Sequence, residues 1–69
     1  MNAKVIGINI KVERIRAELS LKETAERLGV SRQCYYLWEK HPERIKASTL
    51  FELASIFGCN ISDFFYTRG

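Results

Sequence analysis

The stretch Ala25-Glu-Arg-Leu-Gly-Val-Ser31, running straight into Arg32-Gln-Cys-Tyr-Tyr-Leu-Trp-Glu39, reads as two short helices joined by a tight turn. Gly29 stands one residue past the apolar Leu28, where a helix is commonly closed by a residue of positive φ that glycine adopts cheaply. Two residues on, the Ser31 hydroxyl can accept from an orphan N–H at the start of the next helix, so the restart is also written locally. Ala25 lacks bulk and lets the second helix cross close over the first, while Val30 can plug the corner between them.

Stop, short turn and restart at this spacing form the pattern of a helix-turn-helix, whose second helix is suited to entering a groove of duplex DNA. The remainder of the chain fits an all-α domain. With 69 residues there is room for a single domain, residues 1–69, with a small core, and with 46% hydrophobic residues the chain has enough apolar matter to fold. The segments Met1 to Val5 and Thr67 to Gly69 are expected to be peripheral. A formal charge of +3 favours a polyanionic partner, though only weakly.

Five helical segments are expected. The first runs from about Asn9 to Leu19, the second Leu21 to Leu28, the third Arg32 to Lys40 and the fourth Ala47 to Phe57. In the fourth, Leu50, Leu53, Ala54 and Phe57 recur at i, i+3, i+4 and i+7 on one face, and Gly58 closes it. Asn60 offers an N-cap for a last segment, Ile61 to Tyr66, with Asp63 at its positive end. Pro42 stops the third helix, leaving His41 to Lys46 as a loop.

Several classes of function find no support. Cys34, Cys59 and the single His41 have no zinc-ligand spacing, so neither metal nor cofactor is expected, and the two cysteines read as reduced, small apolar residues of a cytosolic protein. No signal peptide and no apolar run near 18 residues is present, which argues against a membrane. The sequence holds no paired carboxylates, nucleophile–base pair or phosphate-cradling glycine loop that would suggest an enzyme or a small-molecule site.

Over about Ile6 to Phe65 the chain resembles the lambda-repressor and Cro-like, Xre-type helix-turn-helix family. The matching residues are Gly7, Ile10-Lys11 and Arg14; Leu19-Ser20; Ala25 to Ser31; Trp38-Glu39; Thr49-Leu50; Leu53-Ala54; Gly58; Ile61; and Phe64-Phe65. The resemblance implies a five-helix bundle that places its third helix in the major groove, usually as a dimer on a two-fold operator, in a cytoplasmic regulator of bacterial, phage or plasmid origin. It departs from the family at Leu21, where a phosphate-touching glutamine is usual, at Thr24, where an apolar residue is usual, and at Ile45, where proline is common.

Arg14 falls on the inward stripe of helix one with Ile6, Ile10 and Ala17, and the resemblance pairs it with Glu39 as a structural ion pair rather than a phosphate ligand. Base reading is expected from Arg32 and Gln33, whose paired donors and acceptors suit guanine and adenine edges, and from Tyr36 and Leu37 by contact with a thymine methyl or a sugar. Phosphate contacts are expected from Ser31, Lys40, Arg44, Lys46 and Lys22. Tyr35 and Trp38 are expected to face the core.

Ile8, Val12 and Ile15 lie nearly opposite the inward stripe of helix one. Either Met1 to Val5 folds back over them, or this face, or the aromatic end Phe64, Phe65 and Tyr66, mediates self-association. The second functional reading follows from these surfaces: a protein-binding module, antitoxin-like or repressor-capturing, that kept the scaffold.

Overall fold

The computed structural model describes residues 2–67 of the chain, and every regular element among them is helical: α1 Ala3–Arg16, α2 Leu21–Leu28, α3 Arg32–Lys40, a 3₁₀ turn Pro42–Arg44, α4 Ala47–Phe57 and a second 3₁₀ segment Ile61–Phe65. There are thus four α-helices, not five. The expected fifth is a short 3₁₀ segment; Asn60 precedes it as expected, but its start is held by the Asn60 N–H donating to Asp63 Oδ2 at 3.0 Å and the Asp63 N–H donating to the Asn60 carbonyl at 2.9 Å.

Helices α2, α3 and α4 run over the spans read from the sequence, and the anticipated signals stand at both ends of α3 and at the C-terminal ends of α2 and α4. Gly29 and Gly58 close α2 and α4 in the left-handed region, at φ 73° and 69°. Ser31 opens α3, its hydroxyl accepting from the Cys34 N–H at 3.0 Å. Pro42 is buried and turns the chain away from α3.

The first helix differs at both ends. Asn2 caps it by accepting from the Val5 N–H, so Ala3 to Val5 form its first turn and do not fold back over the helix; Met1 lies outside the described residues, as do Arg68 and Gly69 at the expected peripheral C-terminus. At the other end Glu18 turns left-handed at φ 60°, which stops the helix before Leu19.

The core is built from Ile10 of α1, Ala25 of α2, Tyr35 of α3, Leu53, Ala54 and Phe57 of α4, Ile45, and Phe64 of the last turn. Full burial of a side chain such as Leu53 or Ile10 contributes about 1.5–3 kcal/mol. Phe64, expected as part of a self-association surface, is instead fully buried and stands edge-on to Phe57, with ring centroids 6.3 Å apart. The buried Asn9 side chain holds that turn in place by donating to the carbonyls of Phe64 and Tyr66. Thr24, the polar residue at an expected apolar position, is completely buried, and its hydroxyl donates to the Ser20 carbonyl at 2.9 Å. An internal partner removes the desolvation cost that burying a hydroxyl would otherwise carry.

Candidate nucleic-acid interface

The turn between α2 and α3 is fixed by main-chain bonds: the Val30 N–H donates to the Ala25 carbonyl at 3.1 Å and the Gly29 N–H to that of Glu26 at 3.2 Å. At the start of α2, Ser20 and Glu23 form a reciprocal capping box, the Glu23 N–H reaching Ser20 Oγ and the Ser20 N–H reaching Glu23 Oε1. Both ends of α2 are therefore pinned, and α3 leaves at a defined angle.

The inner side of α3 is anchored by three polar groups. Glu39 Oε2 accepts from Arg14 Nε at 2.8 Å and from the Tyr35 hydroxyl, while Arg14 Nη1 donates to the Leu19 carbonyl at 2.8 Å. Arg14 and Glu39 are both nearly buried, their side chains 11% and 6% exposed. Burial, and then the hydrogen bond to the Glu39 carboxylate, push the Tyr35 hydroxyl far above the usual phenol range, so it stays a donor. Trp38 is half-buried against the core.

With Tyr35 and Glu39 turned in, the outer surface of α3 carries Arg32, Gln33, Tyr36, Leu37 and Lys40. Arg32, Gln33 and Lys40 are exposed, Tyr36 is 44% and Leu37 37% exposed, and Lys40 Nζ stands 5.5 Å from the centre of the Tyr36 ring, a cation–π stack. Arg44 shares a shallow recess with Ser31, Gln33 and Leu37, so the Pro42–Arg44 turn brings its guanidinium beside the leading half of α3. Ser31 is exposed and keeps its hydroxyl hydrogen while capping α3. Lys22, in the first turn of α2, and Lys46, which precedes α4, are exposed.

The helix-turn-helix family profile matches residues 10–64, well over half the chain. This chain belongs to the Xre-type, lambda-repressor-like helix-turn-helix family. The family suggests a DNA-binding transcription regulator. No curated protein and no solved structure matches the chain.

The face of α1 expected to self-associate is divided by its surroundings. Ile8 borders a groove shared with Tyr36 and Lys40 of α3, Val12 is half-buried, and Ile15 is exposed. Phe65 and Tyr66 are exposed, Tyr66 beside a recess formed with Glu13, Arg16 and Asp63. Both cysteines are half-buried thiols, and burial, then nearby Glu13 and Asp63, push the Cys59 thiol up and away from thiolate chemistry. Among the described residues no three His, Cys, Asp or Glu side chains gather as a metal site requires, and no helix is long and apolar enough to cross a membrane.

Two residues with structural consequences went unassigned in the sequence reading. Gly7, a family-matching position, lies where α1 touches the C-terminal end of α3: a β-carbon there would collide with the Glu39 carbonyl oxygen. Asn9 reads as an ordinary polar residue of α1. Its buried bonds to the C-terminal turn connect residues more than fifty positions apart, which no local pattern announces.

Proposed function

We propose that this protein is a sequence-specific, double-stranded DNA-binding transcription regulator of the cytoplasm, acting as a repressor by occupying an operator as a dimer. The observation that carries this reading is the division of α3. Glu39 is locked inward by Arg14 and by the buried Tyr35 hydroxyl, and Arg32, Gln33, Tyr36 and Leu37 are left together on the outer surface of a short, rigid rod. Arg32 and Gln33 read base edges by paired hydrogen bonds, Tyr36 and Leu37 contribute apolar contact, and Ser31, Lys22, Lys40, Arg44 and Lys46 hold phosphates. Dimer contact falls to the exposed Ile15, Phe65 and Tyr66, away from Tyr36 and Lys40, whereas association through Ile8 would cover the side of α3.

The test is selection of binding sites from random duplexes, followed by gel retardation and sedimentation. Sequence-selective retardation by a dimer is expected, with Arg32→Ala and Gln33→Ala each relaxing preference at one base pair per half-site by about 1–3 kcal/mol. Arg44→Ala weakens all duplexes alike. Absence of selective retardation, alongside a tight complex with another protein, would favour the protein-binding module instead.

A further inference from the structure

Between α1 and α3 runs a groove of about 540 Å³ whose α1 wall takes no part in base reading. Lys4, Ile8 and Lys11 border it from α1, and Tyr36 and Lys40 from α3. On a helix turning about 100° per residue, Lys4, Ile8 and Lys11 fall within about 60° of one another, so the three share one stripe. Gly7 makes the groove possible, because its missing side chain lets α1 lie against the main chain of Glu39 and brings this stripe beside the outer surface of α3.

The groove is cationic once its internal pairs are removed. Glu39 is occupied by Arg14 and Tyr35, which leaves Lys4, Lys11 and Lys40 against Glu43, itself 3.5 Å from His41 Nδ1. Its apolar patches, Ile8, Leu21 and the Tyr36 ring, suit the flat faces of deoxyribose rather than another set of charges.

We infer that this groove seats the sugar–phosphate strand bordering the major groove entered by α3, with Lys4 and Lys11 as phosphate ligands on α1. The inference rests on the DNA-binding reading above and extends it to a second helix. It gives the exposed Ile8 a role in contacting the strand instead of a second copy of the chain. Lys11 and Lys40 then approach the strand from opposite walls, which fixes the roll of the protein about the α3 axis.

The experiment measures binding of the full chain to its selected duplex, by fluorescence anisotropy, across a range of salt concentrations. Neutralising one phosphate contributes about 0.9 to the slope of log affinity against log salt. Lys4→Ala with Lys11→Ala is expected to lower that slope by about 0.9 per lysine, with base preference and melting temperature unchanged. Arg16→Ala, which alters α1 about 140° around from Lys11 and beside Glu13, is the control and leaves the slope unchanged. A wild-type chain that binds selectively, with a double variant of identical slope, overturns the inference and leaves the DNA-binding reading standing. A double variant that dissociates into monomers at unchanged slope also overturns it, by assigning the groove to a subunit contact. A wild-type chain that binds no duplex overturns both.

Discussion

Gly7 and Glu39 meet main chain to main chain: a methyl group on Gly7 would collide with the Glu39 carbonyl oxygen, with the Pro42 ring close behind. Backbone on one side and a buried proline on the other leave nothing flexible to yield. Gly7→Ala is therefore expected to push α1 off α3 and to destabilise the fold by about 1–3 kcal/mol, the range for overpacking a filled site. Urea denaturation checks this, and an unchanged midpoint would show that the crossing has slack. Helix propensity alone predicts the opposite sign, since alanine is favoured over glycine within a helix by about 1 kcal/mol.

The side chain of the same glutamate supports a second prediction. Glu39→Ala strands the buried Arg14 guanidinium and removes the acceptor of the Tyr35 hydroxyl, at an expected cost of about 3–5 kcal/mol. Replacing both partners by apolar residues, Arg14→Met with Glu39→Leu, is expected to recover part of that loss, because no uncompensated charge is left behind, although the Tyr35 hydroxyl and the Leu19 carbonyl still lose their partners. Thermal unfolding of the two single variants and the double one forms the test. A double variant as unstable as the sum of the singles would show that Arg14 and Glu39 are not coupled, and would overturn the stranded charge as the cause of the loss.

These two sites show what was legible in the chain. Both ends of α3 and the C-terminal ends of α2 and α4 are written in neighbouring residues, Gly29, Ser31, Pro42 and Gly58, so local chemistry locates them. The outward placement of Arg32 and Gln33 follows from the same signals. By contrast, α1 starts at an asparagine well before its clearest apolar spacing and ends on a glutamate in a conformation usually left to glycine. The last segment has a start at Asn60 that was also readable. Its shortness and the burial of Phe64 come from Asn9, whose amide draws the carbonyls of Phe64 and Tyr66 onto α1. The groove beside α3 was hidden for a similar reason: it exists only because two distant helices touch at Gly7.

Glu18 sits at φ 60° with its N–H donating to the Ile15 carbonyl, and the Leu19 N–H donates to that of Arg14. This is the left-handed close of a helix made without glycine. An L-residue there carries a steric cost of about 1–2 kcal/mol, partly offset by the greater entropy glycine loses on folding. Glu18→Gly is expected to stabilise the fold by about 0.5–1 kcal/mol, read as a raised urea midpoint. Glu18 is exposed, so no packing is lost. A lowered midpoint would mean that its carboxylate makes a compensating contact.

The capping box gives the pH dependence of α2. The Ser20 backbone N–H, then the Ser20 side chain, hold the Glu23 carboxyl below its ordinary value of 4.5. A carboxyl whose folded pKa is depressed stabilises the protein fully above its unfolded pKa and loses that contribution as pH falls through the folded value. The box therefore supports α2 at neutral pH and weakens below about pH 4.5. Glu23→Gln preserves the hydrogen-bonding shape without the titration. The difference in urea midpoint between wild type and variant is expected to favour wild type at pH 7 and to shrink as the pH falls below 4.5. Because Glu23 is fully exposed, solvent screening keeps the effect small, and high salt is expected to reduce the charge-dependent part further. A difference that grows on acidification would reverse the sign of the linkage and exclude Glu23 as its source.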